Sequence, residues 1–146
     1  MILISHRGNT NGPIQEKENC PEYIDEALIQ GYEVEIDLWV ADEVYLGHNE
    51  PQYKIVSEWL YQRMNKLWIH CKNIKAIEYI NNFSDMQNLN YFWHEEDTVT
   101  LTSRGYIWAY PGKQPIIGSI AVMPERYNDN ILNCKGVCSD YIKNYK

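Results

Sequence analysis

Apolar and polar positions alternate most strictly from Glu33 to Val40: Val34, Ile36 and Leu38 fall on one side, Glu35, Asp37 and Trp39 on the other. That period of two is the pattern of an extended strand with two different faces. Ile2 to Ser5 and Leu67 to Cys71 are further short runs with strand character, and Val44 to Gly47 is another extended stretch. Between these runs the period lengthens. Pro21 opens an amphipathic segment in which Ile24, Ala27 and Leu28 share a helical face, and Gly31 ends it. Ile55 to Met64 and Ile74 to Phe83 also have helical spacing, the latter with Ile74, Ile77, Tyr79 and Ile80 available for burial. Strand, helix, strand, helix, strand predicts a parallel sheet built from βαβ units.

After position 90 the pattern changes. Tyr91 to Trp93, Thr98 to Thr102, Tyr106 to Tyr110, Ser119 to Met123 and Gly136 to Ser139 read as extended, punctuated by Gly105, Pro111-Gly112, Pro115, Gly118 and Pro124. Apart from a turn near Arg126 to Leu132, little room remains for helices. No linker, low-complexity stretch or internal repeat interrupts the chain, so residues 1–146 are expected to form a single domain.

Composition narrows the function classes. With 45% hydrophobic residues, including twelve Tyr and five Trp, the chain has ample apolar surface to bury and disorder is excluded. No apolar run approaches the ~20 residues that cross a bilayer. Met1-Ile2-Leu3-Ile4 is too short for a signal-peptide core and has no basic residues before it, so a cytoplasmic protein is expected. The net charge of −7, with Lys and Arg scattered rather than clustered, argues against nucleic-acid or anionic-membrane partners. Cys20, Cys71, Cys134 and Cys138 contain no CxxC pair and read as free thiols in a reducing compartment rather than as a zinc site.

Four local features carry candidate chemistry. His6-Arg7-Gly8 ends the first strand, and Glu18-Asn19 precedes the first helix. Glu35 and Asp37 lie two apart on one strand, which projects both carboxylates from the same face with Cα atoms ~7 Å apart, close enough to share one hard divalent cation. Gly47-His48-Asn49-Glu50-Pro51 closes an extended run, and His70 and Lys72 share the face opposite Ile69. Taken singly, each has an ordinary explanation: a solvated strand face, a structural histidine, a surface lysine. Taken in order, they stand at the carboxyl ends of strands, where sites assemble in parallel α/β proteins.

The ordered set "SHRGN", "KENCPEYIDEALIQGYEVEID", "VYLGHNEP" and "LWIHCKN" resembles the glycerophosphodiester phosphodiesterase family of the phospholipase C-like phosphodiesterase superfamily. The strong part of the likeness covers residues 3–72; "KGVCSDY" and "YIWAYPG" resemble the family's last strands. The resemblance implies a (β/α)-barrel-type fold and metal-assisted cleavage of a phosphodiester. It makes His6 and His48 the general acid–base pair, Arg7 and Lys72 the phosphate contacts, Glu35 and Asp37 ligands of Mg²⁺ or Ca²⁺, and Glu18 and Asn19 supports of the site. Two imidazoles suit this chemistry because their ordinary pKa lies near neutrality.

The chain departs from the family pattern in three places. His70 occupies the position of the third, acidic metal ligand, and imidazole favours Mg²⁺ and Ca²⁺ less than carboxylate does. The site then selects Mn²⁺ or Zn²⁺, recruits Glu95 or Asp97 as a ligand, or binds metal weakly. Asn49 stands where an Asp commonly follows the second histidine. Length is the third: a complete barrel with its helices takes ~250 residues. The expectation is therefore an α/β protein with a shortened or degenerate (β/α) TIM-type barrel carrying few helices in its second half, whose bare strands favour a homodimer. Its expected function is metal-dependent hydrolysis of a glycerol- or sugar-phosphodiester, or release of a cyclic phosphate. The alternatives are a non-catalytic module that binds a phosphorylated ligand and a purely structural domain.

Overall fold

The computed structural model describes residues 1–146, the side chain of Ser84 excepted. Its organising element is the long alternating strand, β2 (Glu33–Val40), which no other strand equals in length. Before it come β1 (Ile2–His6) and α1 (Pro21–Ile29); after it come β3 (Val44–Leu46), β4 (Tyr53–Ile55), α2 (Ser57–Gln62), β5 (Leu67–Cys71) and α3 (Ile74–Asn82). The second half adds β6 (Asn90–Trp93), β7 (Val99–Leu101), β8 (Ile107–Ala109), β9 (Ile120–Val122) and β10 (Gly136–Ser139), with short 3₁₀ turns at Ser84–Met86, Pro124–Arg126 and Ile142–Tyr145.

All ten strands belong to one mixed sheet. The strands β6, β5, β2, β1, β10, β9 and β8 are parallel neighbours in that order. Three antiparallel strands break the pattern: β3 and β4 fold back beside the far half of β2, and β7 lies against β8. Ser103 N donates to Tyr91 O at 2.7 Å, so the chain after β7 touches β6 without forming a strand ladder.

The expected TIM-type barrel is thereby corrected. The sheet curls into a strand-rich half-barrel with three α-helices, all before residue 83. The physical reason lies in the connections. The links from β8 to β9 and from β9 to β10 carry no α-helix, and hairpin strands, which need only tight turns, replace the helical crossovers that a (β/α) repeat requires. Most elements fall where the sequence placed them, but β4 does not: Ile55 ends a strand paired with Val44 instead of opening a helix.

Two cores follow from the alternation. On the outer face of the sheet, Val34, Ile36 and Leu38 of β2 and Leu67, Ile69 and Cys71 of β5 pack against Ile24 and Ala27 of α1, Leu60 of α2, and Ala76 and Ile80 of α3. Ile74 stays exposed, and Ala76 takes the buried place on α3. Asn73 caps α3 by accepting from Ala76 N, and the same side chain bonds both Val40 N and Val40 O, tying the helix to the end of β2. Inside the curl, Ile4, Trp68, Phe92, Trp108, Ile120 and Cys138 fill the space beneath the strands' carboxyl ends. Among the described residues, no helix is long and apolar enough to cross a membrane.

Candidate functional site

Backbone geometry concentrates polar groups above that inner core. At the end of β1 the chain reverses: Arg7 adopts φ 54° and Gly8 φ 93°, while Arg7 N still donates to Glu35 O at 2.9 Å. A Cβ on Gly8 would lie 2.7 Å from Tyr23 Cδ1, so the position requires glycine. Arg7 O accepts from Asn19 N at 3.1 Å, and Asn19 also has positive φ, at 64°. Such backbone in a non-glycine residue stores of order 1–3 kcal/mol and concentrates at functional sites. Asn19 then clamps Asp37 twice, donating from Nδ2 to Oδ2 and accepting from Asp37 N, both at 2.9 Å.

A second turn delivers the other histidine. Gly47 N donates to Asp37 O at 3.2 Å, and Trp39 Nε1 donates to Gly47 O at 2.7 Å. At φ 156°, a Cβ on Gly47 would lie 2.1 Å from Glu50 O, so only glycine permits this turn. The consequence is that His48 sits against Asp37.

Asp37 is the electrostatic centre. Fully buried, its Oδ2 lies 3.0 Å from Arg7 Nε and 3.4 Å from His48 Nδ1; its Oδ1 lies 3.2 Å from His70 Nδ1 and 3.7 Å from Lys72 Nζ. Burial opposes ionisation, but contacts with His48, His70 and Arg7 prevail and hold its carboxyl well below the usual range. Glu35 shows the opposite balance. Burial and then repulsion from Asp37 push its carboxyl well above the usual range, against the pull of Arg7 and Lys72.

His6 is held from behind. Its Nδ1 lies 2.7 Å from Asp140 Oδ1, while Nε2 lies 3.8 Å from Glu35 Oε2. Burial lowers the affinity of His6 for a proton more than Asp140 raises it, so the ring is a neutral base at pH 7 with Nε2 toward the site. Asn9 Nδ2 is shared between Asp140 Oδ1 and Glu18 Oε1, both at 2.9 Å, and Glu18 Oε2 accepts from Arg7 at 3.0 Å.

The donors fit a divalent cation. Glu35, Asp37 and His70 each bring one ligand atom to within 4.8 Å of the others. Glu35 Oε2 and Asp37 Oδ1 are buried without a hydrogen-bond partner. His70 Nε2 lies 3.3 Å from His94 O and Nδ1 lies 3.2 Å from Asp37 Oδ1, so both ring nitrogens face oxygen acceptors. Binding a cation through Nδ1 would leave the ring proton on Nε2, where His94 O accepts it.

These groups line a cavity of about 570 Å³ reached by all four histidines of the chain, His6, His48, His70 and His94. Arg7, Glu35, Lys72, Glu95 and Arg126 also line it, with Phe92, Trp108, Tyr110, Pro111, Val122 and Met123 as its apolar section. Of the candidate site residues, His6, Arg7, Glu35, His48, His70 and Lys72 line this cavity, and Asp37, Glu18 and Asn19 stand behind Arg7: Asp37 and Glu18 pair with its guanidinium and Asn19 bonds Asp37. Glu95 reaches the cavity wall as an exposed side chain, whereas Asp97 pairs with His94 Nδ1 at 3.5 Å, and neither belongs to the ligand triad. Sequence reasoning assigned no role to Asp140, Asn9, His94 or Tyr110. Two of these had a readable signal: Asp140 directly follows β10, and His94 continues the inward face of Asn90 and Phe92 at a period of two. Set against known protein-family models, characterised proteins and solved structures, the chain matches none.

Proposed function

We propose that the chain is a metal-dependent phosphodiesterase that hydrolyses a glycerol- or sugar-phosphodiester by two-histidine general acid–base catalysis. The observation that carries this reading is the convergence of His6 and His48 on one cavity with Arg7, Lys72 and the Glu35–Asp37–His70 group. The ordered motif likeness to glycerophosphodiester phosphodiesterases supports it.

Glu35, Asp37 and His70 would hold the cation: Mg²⁺ or Ca²⁺ by the family likeness, Mn²⁺ or Zn²⁺ by the imidazole in the set. When bound, the cation neutralises charge on the non-bridging phosphoryl oxygens. Arg7 and Lys72 add fixed positive charge in a water-poor setting, where it acts more strongly than in bulk solvent. His6, neutral and oriented by Asp140, accepts the proton of the attacking water, and Asp140 steadies the imidazolium that forms. A bond forms between water oxygen and phosphorus, the ester P–O bond breaks, and His48 gives a proton to the departing alcohol oxygen. Arg7 Nη2 lies 3.4 Å from His48 Nε2; an arriving phosphate competes for that guanidinium, and the freed ring nitrogen takes up from solvent the proton that it then gives to the alcohol oxygen.

The test is product release from a panel of phosphodiesters with added Mg²⁺, Ca²⁺, Mn²⁺ or Zn²⁺, run beside His6→Ala and His48→Ala. Turnover lost in both variants is expected. Absence of turnover with every metal, or turnover undiminished in the variants, rejects the reading. Calorimetric binding of a phosphorylated ligand without turnover would place the chain among non-catalytic modules instead.

A further inference from the structure

We infer that the substrate is an unsymmetrical diester, with a polyol on one ester oxygen and an alcohol bearing a flat apolar face on the other. This rests on the phosphodiesterase reading above and assigns its two alcohol subsites. Arg7 and His48 form a common wall between two separate spaces, the cavity of about 570 Å³ and a groove of about 400 Å³. A phosphoryl group held at Arg7 and His48 sends its two ester oxygens in different directions, one into each space.

The two linings differ in chemistry: only the larger has an apolar section. Beyond Arg7 and His48, the groove is bounded by Gln15, Glu18, Asn49, Glu50 and Gln52 and holds no apolar side chain. Amide groups both donate and accept and carboxylates accept, which matches a row of hydroxyls. With no Lys or Arg besides Arg7, the groove is a poor place for a second phosphate. Its walls are two loops set by fixed contacts: Tyr53 OH donates to Glu16 O at 3.3 Å, and Gln52 N donates to Leu46 O at 3.0 Å.

Phe92, Trp108, Tyr110, Pro111, Val122 and Met123 give the larger cavity an apolar, largely aromatic section, which lies in the same lining as the charged Glu95 and Arg126. Phe92 and Trp108 are buried with ring centroids 4.8 Å apart, and Tyr110 stacks on His94 at 3.6 Å, so the rings form a rigid surface. Such a surface favours a flat apolar group over a hydrated polyol.

Three diesters test this, with loss of each followed by phosphorus NMR in the metal-loaded protein: glycerol 4-nitrophenyl phosphate, glycerophosphoglycerol and bis(4-nitrophenyl) phosphate. The mixed diester is expected to show a KM at least about tenfold below both symmetric ones, because only it fills both subsites with matching chemistry. Tyr110→Ala should move the KM ratio of the glycerol-only to the aryl-only diester about tenfold one way, and Gln52→Leu about tenfold the other. Equal KM values across the wild-type series, or variants that shift the ratio together, overturn the two-subsite assignment while leaving phosphodiesterase activity standing. No turnover of any of the three overturns the phosphodiesterase reading, and this inference with it. The wild-type comparison needs no variant, so misfolding of a mutant does not spare the assignment.

Discussion

Asp140 and Glu35 do opposite things to the groups they face. The Asp140 carboxylate is held below its usual range, because its hydrogen bonds with His6 and Asn9 outweigh burial, and it fixes His6 with Nε2 toward the site. Asp140→Asn keeps the shape but lets the ring turn or change tautomer. Turnover should fall by on the order of 10²–10⁴ with little change in KM; initial rates within twofold of wild type would remove Asp140 from the mechanism. Burial and repulsion from Asp37 push the Glu35 carboxyl well above the usual range, so its negative charge is disfavoured in the metal-free protein. Glu35→Gln should therefore abolish divalent-metal binding in calorimetry while leaving the metal-free melting temperature equal or higher. A melting temperature several degrees lower would mean that a charged Glu35 supports the fold by itself. The thiols divide in the same way. Burial pushes Cys71 up to about 12 and Cys138 well above its usual value, so both stay protonated at pH 8. Iodoacetamide at that pH should label the half-buried Cys20 and Cys134 and reach the buried pair only after denaturation, as read by mass spectrometry.

At the scale of elements, β2 joins fold to function. Its outward residues seal the helix-covered core, and its inward Glu35 and Asp37 carry the site, so one alternating strand serves both and both were legible in the sequence. His70 and Lys72 on β5 were legible for the same reason. Hairpins were not. Tyr53–Ile55 is only three residues long, with no room for a period to show, and its strand character comes from pairing with Val44–Leu46. Asp140 and Asn9 escaped because their roles arise from contacts 134 and 131 residues apart in the chain, which no local pattern encodes. The turn after β3 makes a prediction at this scale. Gly47→Ala drives a Cβ against Glu50 O and should cost about 1–3 kcal/mol in chemical denaturation. Because the same turn places His48, turnover should fall as far as in His48→Ala. Full turnover in Gly47→Ala would separate His48 from the turn that carries it.

The whole molecule covers its sheet unevenly. α1, α2 and α3 shield the outer face of β2 and β5, but no α-helix follows β8, β9 or β10. The outer face of β1, β9 and β10 is closed by Tyr32, arriving from the end of α1, and by the 3₁₀ turn Ile142–Tyr145, whose Ile142 is 0% exposed against Ala121 and Val137. That small patch does for this side what a whole helix does for the other. The same strands present Ile4, Ile120 and Cys138 to the inner core under the site, so loosening the patch on one face loosens the cavity floor on the other. Ile142→Ala removes buried methyl groups at a position with little neighbouring mass to collapse, and should cost about 2–5 kcal/mol. Leu132→Ala, at 82% exposed and outside the buried clusters, should stay within about 0.5 kcal/mol and serves as the matched control. Urea unfolding of the two variants decides between a working cover and a decorative one: equal midpoints would show that the bare strands hold together without it. A lower midpoint for Ile142→Ala with an unchanged slope would show that the patch stabilises the same cooperative unit that carries His6 and Asp140.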